Sequence, residues 1–69
     1  MTQNERIMRH LHDHGSITQL EAMQEYGIMR LASRVSDLRR NGVNIRSEMV
    51  HGVNRYGEST SYAKYTMEA

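Results

Sequence analysis

Gly15-Ser16-Ile17-Thr18-Gln19-Leu20-Glu21-Ala22-Met23-Gln24-Glu25-Tyr26-Gly27-Ile28-Met29-Arg30-Leu31-Ala32-Ser33-Arg34-Val35-Ser36-Asp37-Leu38 holds one helix start, one helix stop and the pattern of a second helix. Thr18 is followed three residues later by Glu21, the capping-box spacing. The threonine oxygen accepts from an orphan backbone N–H while the glutamate reaches back to the N–H of the cap. This predicts a helix over about residues 19–26, offering Leu20 and Met23 to a core, with Ala22 and Tyr26 as further candidates. Gly27 ends it, because glycine tolerates the left-handed conformation of a helix terminus. Ile28, Leu31, Val35 and Leu38 then recur at spacings of 3, 4 and 3, a helical period closed by Asn41-Gly42. Two short helices joined by a tight glycine-containing turn form a helix-turn-helix.

Upstream, Thr2-Gln3-Asn4-Glu5 repeats the capping box. It starts a helix over about residues 3–14, with Ile7 and Leu11 on one face, Met8 beside them and Gly15 as the stop. Ser16-Ile17 reads as a short extended link able to pair with a later sheet. Downstream of Gly42 the period changes to two. Val43, Ile45, Ser47 and Met49 alternate with Asn44, Arg46, Glu48 and Val50, and Ala63, Tyr65 and Met67 alternate with Tyr62, Lys64 and Thr66. His51 to Ser59 lies between them, rich in turn residues and carrying Arg55 near its tip. Three helices followed by a β-hairpin give an α+β, mainly α, fold in the winged-helix order. Residues 1–69 read as one domain, with no repeat or linker.

A chain of 69 residues buries only about 60% of the surface its unfolded form exposes, so its stability margin is thin. Cysteine is absent, which removes disulfides and thiolate metal sites and fits a reducing cytoplasm. No apolar run approaches the roughly 18 residues of a membrane helix, and the first residues lack a signal-peptide pattern. The expectation is a soluble protein of the cytoplasm. Charge is polarised. Residues 1–29 set Arg6 and Arg9 against Glu5, Asp13, Glu21 and Glu25, a net of −2. Residues 30–64 set Arg30, Arg34, Arg39, Arg40, Arg46, Arg55 and Lys64 against Asp37, Glu48 and Glu58, a net of +4. Such asymmetry suggests an anionic partner facing the second half. A solvated surface with scattered ion pairs fits the same counts.

Gly15 to Ala22, Tyr26 to Val35, Leu38 to Ile45 and the terminal Tyr62-Ala63-Lys64-Tyr65 together resemble a family of small winged helix-turn-helix proteins, often encoded by bacteriophages and prophages. The resemblance covers most of the chain. It implies a winged-helix fold and binding of double-stranded DNA. The expected role is that of a small transcriptional or recombination regulator. In such proteins the start and middle of the third helix enter the major groove. Here those positions are Arg30, Ser33, Arg34 and Asp37. Arginine pairs bidentately with guanine, serine donates or accepts, and aspartate accepts from cytosine N4. An exposed Asp37 also repels phosphate. Arg34 has a competing reading, an ion pair with Asp37, Glu21 or Glu25. Arg39 and Arg40 suit phosphate contact, but a cation in a last helical turn is also favoured by the dipole alone. Arg46 and Lys64 on the hairpin and Arg55 at its tip are expected on the DNA backbone or the neighbouring minor groove. His51 and Asn54 flank the tip as further hydrogen-bonding groups.

Other chemistries fare worse. His10 and His14 share a helix face while His12 points elsewhere, and without cysteine or an HExxH pattern they read as a solvated helix end. No metal or cofactor is expected. The five glycines are dispersed and cradle no phosphate, and no carboxylate pair has a cleft, so the chain does not read as an enzyme. The competing function is a winged helix that captures a host protein, with Tyr56, Tyr62 and Tyr65 as anchors. Because a single module makes few contacts on DNA, a homodimer or a second protein is expected there.

Overall fold

Three helices form where local signals start and stop them. A computed structural model describes residues 2–68; Met1 and Ala69, counted above within the domain, lie outside the described residues. Helix α1 spans Gln3–His14, and its capping box is complete: the Thr2 hydroxyl accepts from the Glu5 N–H, and the Glu5 side chain accepts from the Thr2 N–H. Gly15, at φ 84°, closes it by donating to the Leu11 carbonyl. Strand β1 (Ser16–Thr18) leads directly into α2 (Gln19–Tyr26), whose box is built by Thr18 and Glu21 in the same way. Gly27 ends α2 at φ 68°. Helix α3 (Leu31–Arg40) follows, then β2 (Ile45–Val53) and β3 (Ser59–Met67).

The sheet is antiparallel with the order β1-β3-β2, so β3 is central. Ile17 sits opposite Tyr65, which sits opposite Ser47, while Ile45 faces Met67. Paired residues share a face, so Ile17, Ile45, Tyr65 and Met67 turn towards the helices. The core is wholly aliphatic: Ile7 and Leu11 of α1, Ile17 of β1, Ala22 of α2, Ile28 of the turn, Leu31, Val35 and Leu38 of α3, and Ile45 of β2. Met8, Tyr26, Val43, Tyr65 and Met67 close its edges. Burial of one of the larger of these side chains stabilises by about 1.5–3 kcal/mol, against about 1 kcal/mol for a typical cap. The caps therefore set boundaries, and the core holds the elements together. No helix among the described residues is long and apolar enough to cross a membrane.

The structure departs from the sequence reading in four places. Leu20 and Met23 are not core residues but 58% and 41% exposed. The inward stripe of α2 is instead Gln19, Ala22 and Tyr26, where Ala22 is fully buried. His10 is buried rather than solvated; its Nδ1 lies 2.8 Å from the Tyr26 hydroxyl and its Nε2 is 3.8 Å from a Glu21 carboxylate oxygen. Ile28 precedes α3, because its N–H completes the end of α2 by donating to the Ala22 carbonyl at 3.1 Å. The hairpin turn is shorter than expected, confined to residues 54–58 between long strands.

The third helix lacks the device that starts the other two. Arg30 is its N-cap and supplies no side-chain cap. Gln19 fills the gap from the start of α2: its Oε1 accepts from the Leu31 N–H at 3.0 Å, and its Nε2 donates to the Ile28 carbonyl at 2.8 Å. The reverse amide orientation would set donor against donor. Gln19 thereby pins both ends of the helix-turn-helix turn.

Gln19→Ala strands a backbone donor and a backbone acceptor, which costs about 1–3 kcal/mol. A fall in Tm of roughly 4 °C or more is expected by differential scanning calorimetry, and an unchanged Tm would remove Gln19 from this role. Acid has a defined effect at α1. Glu5 is held below the ordinary glutamate range by the Thr2 N–H and then the Thr2 hydroxyl. Asp13 is held low by its hydrogen bond to His12, then by Arg9. Both folded pKa values are depressed, so this stabilisation is fully present above the ordinary carboxylate range of about 3.9–4.3 and is lost as pH falls through the lower folded values. Glu5→Gln should flatten that acid limb of a stability–pH profile by lowering the neutral plateau towards the acid level, where the parent has already lost this contribution.

Candidate nucleic-acid interface

Helix α3 turns Leu31, Val35 and Leu38 inward. Its period leaves an outward strip with Arg30 at the N-cap, then Ala32, Ser36 and Arg40, all exposed. Ser33, Arg34 and Asp37 are half-buried along one side of that strip. Ala32 and Ser36 are the positions that sequence reasoning did not single out for contact.

The six arginines and one lysine of the second half divide by what they touch. Arg30 is exposed, and no carboxylate lies within ion-pair distance of it among the described residues. Arg34 and Arg40 converge on one acid: Nη2 of Arg34 lies 3.3 Å from Asp37 Oδ2, and Nη2 of Arg40 lies 2.7 Å from Asp37 Oδ1. Each carboxylate oxygen thus faces one guanidinium, and the Arg40 contact is a hydrogen bond. The reading of Arg34 as an ion-pair partner and its reading as a base reader meet in one side chain. Pairs this exposed contribute about 0–1 kcal/mol to stability.

Arg39 points the other way. Its Nε and Nη2 donate to the Ile45 carbonyl at 3.1 and 2.9 Å, and Nη2 also donates to the Ser47 hydroxyl at 2.7 Å. It ties the last turn of α3 to the first residues of β2. Sequence position at a helix C-terminus could not separate this tie from phosphate contact.

On the hairpin, alternation sends Arg46 and Lys64 to the sheet face turned away from the core. Arg46 Nε lies 3.5 Å from Glu68 Oε1. Lys64 is half-buried and faces Glu48 in register. The structure therefore does not bring these two beside the α3 arginines. Arg55 stands at the turn with Tyr56, which is 77% exposed. The turn itself is well pinned. Asn54 Oδ1 accepts from the N–H groups of Tyr56 and Glu58 at 2.9 and 3.1 Å, and the Asn54 N–H donates to the Glu58 carbonyl at 3.0 Å. Asn54 thus shapes the tip, whereas the exposed His51, paired with Ser61 in the sheet, has no side-chain hydrogen bond among the described residues. Of the three tyrosines considered as protein-binding anchors, Tyr65 packs against the core, leaving Tyr56 and Tyr62 exposed.

Elsewhere, His10, His14, Ser16, Glu21, Glu25 and Tyr26 line a polar cleft between α1 and α2. No group of three or more potential metal ligands converges among the described residues.

The two classes of arginine separate in a denaturation experiment. Arg39→Ala removes charge-assisted bonds to a backbone carbonyl and is expected to cost about 1 kcal/mol or more. Arg30→Ala touches nothing and should stay within about 0.5 kcal/mol of the parent. Equal urea midpoints for the two variants would contradict this division.

Compared with known proteins, residues 2–69 match the family model described as a winged helix-turn-helix domain. No curated protein and no solved structure matches the chain. The chain belongs to the winged helix-turn-helix family, and that membership points to DNA as its partner and to binding rather than catalysis.

Proposed function

We propose that this chain binds double-stranded DNA by laying α3 in the major groove and its β2–β3 wing along the backbone. The observation that carries the reading is the free, exposed guanidinium of Arg30 at the leading end of a strip whose next members, Ala32 and Ser36, are small. Small side chains let a helix approach base edges closely, and an unpaired arginine at its entry can take guanine O6 and N7 together. Arg30, Ser33 and Arg34 are the proposed base readers, with Arg40 and the wing cation Arg55 on phosphates. Arg46 and Lys64 would reach only the backbone strand that passes the outer sheet face. A module of this size covers only about 600–1,000 Å² on DNA, so selective binding calls for a homodimer or a second protein on the site. The role that fits is a small transcriptional or recombination regulator of the phage and prophage kind, acting in a bacterial cytoplasm.

A second reading has its own observation. Leu20 and Tyr62, 58% and 48% exposed, line an apolar groove with Thr18 and Gln19. Such a groove suits a protein partner, whether a host protein or a companion bound to the same DNA.

Fluorescence anisotropy against random-sequence duplex at two salt concentrations tests the DNA reading. The parent protein should bind, with affinity falling steeply as salt rises. The Arg30→Ala, Arg34→Ala double variant, shown folded by circular dichroism, should bind about tenfold or more weakly, since each arginine contact is worth about 1–3 kcal/mol. Absence of binding even at low salt would leave the protein-capture reading in its place.

A further inference from the structure

The paired carboxylate of Asp37 stands on the side of α3 that the DNA reading turns towards the double helix, and it needs a reason to be there. Stability does not supply one, because ion pairs at this exposure add little to the folded state. Affinity does not either, because a carboxylate beside the phosphate backbone is repelled. Its geometry is specific, however. One oxygen holds Arg34 and the other holds Arg40, three residues away on either side, at 3.3 and 2.7 Å. Two of the cations on the outward side of α3 are thus bound by a single acid, while Arg30 one turn before Arg34 is free.

Resting on the DNA reading above, we infer that Asp37 is the selectivity residue of this protein: it withholds Arg34 and Arg40 from indiscriminate phosphate contact. A phosphate on random DNA must compete with the carboxylate for either guanidinium, and it offers each only a generic charge contact. A guanine at the right position offers Arg34 a bidentate, geometrically matched acceptor pair, which compensates the broken contact. Asp37 therefore acts on DNA through the two arginines, as a positioning residue, without touching a base. The free Arg30 is left to make first contact.

The test compares Asp37→Asn with Glu25→Gln on random-sequence duplex across a salt series. Glu25 is exposed on α2 and has no ion-pair partner among the described residues, so its variant removes the same charge without releasing an arginine. Asp37→Asn should bind random duplex about three- to tenfold more tightly than Glu25→Gln. Its plot of log affinity against log salt should also be steeper by about one to two, since each added phosphate contact contributes about 0.9 to that slope. A merely structural role would not move that slope. On a duplex enriched from a random library by the parent protein, the preference over random sequence should shrink in Asp37→Asn and persist in Glu25→Gln. If Asp37→Asn proves unfolded, Asp37→Ala replaces it, alanine being the best helix former. Matching slopes and matching preferences for the two variants would overturn the inference while the DNA reading stands. No binding by the parent or any variant at low salt overturns both.

Discussion

The side-chain amide of Gln19 is the constraint on which the arrangement turns. Helices need a partner for the N–H groups of their first turn, and α1 and α2 each carry their own in a threonine and a glutamate. Helix α3 begins at Arg30 with no such cap. Its first amide is satisfied by a residue that belongs to α2, which also grips the carbonyl of Ile28 in the turn. The angle between the two helices is therefore fixed by hydrogen bonds at their junction as well as by packing. The consequence for function is spatial. A capping serine or aspartate at position 30 would have tied that side chain to the helix end. Borrowing the cap from Gln19 leaves Arg30 free at the point where α3 would first meet a partner.

The remaining cations sort along the same line between holding the fold and meeting a ligand. Arg39, a residue away from Arg40 in sequence, donates to the Ile45 carbonyl and the Ser47 hydroxyl and so anchors the wing to the helix. Arg40 and Arg34 share Asp37. Arg55 is presented by a turn that Asn54 stiffens through its own side chain. A pre-shaped tip loses less freedom on contact than a floppy one, so the wing and α3 meet a partner as parts of one framework. The link between them is the Arg39 guanidinium.

Much of this was legible in the sequence because the signals are local. Both capping boxes, the glycines at 15 and 27, and the change from helical to two-residue period lie within a few residues of the features they specify. The misreadings share a cause in α2. An eight-residue helix has too few turns for apolar periodicity to select a face, and Leu20 and Met23 draw the choice by their chemistry. The fold instead turns Gln19 and Tyr26 inward with Ala22, because each of those polar groups finds a partner there: Gln19 in the turn, and Tyr26 in His10. Those partners lie far along the chain and leave no local trace. His10 itself was hidden for the same reason. The candidate interface was legible as a set of cations but not as a division of labour, since Arg39 and Arg40 are neighbours in sequence and differ only in what the tertiary structure places beside them.

The central place of β3 reaches beyond architecture into how the chain finds its fold. The helices are built from contacts between near neighbours, yet β1 has no strand to pair with until β3 arrives, and Ser16 must meet Thr66 across nearly the whole chain. Closing so long a loop is entropically costly and slow relative to helix formation. The expected sequence of events is therefore early local structure followed by a late step in which β3, already paired with β2 through their short turn, docks on β1 and carries Tyr65 and Met67 onto the edge of the core. Until that step Ile17 has no strand to hold it in place. The strand that lends the wing one of its two arms is thus also the latch of the whole domain, and lesions in it would be felt as slow or failed folding at sites distant from any ligand.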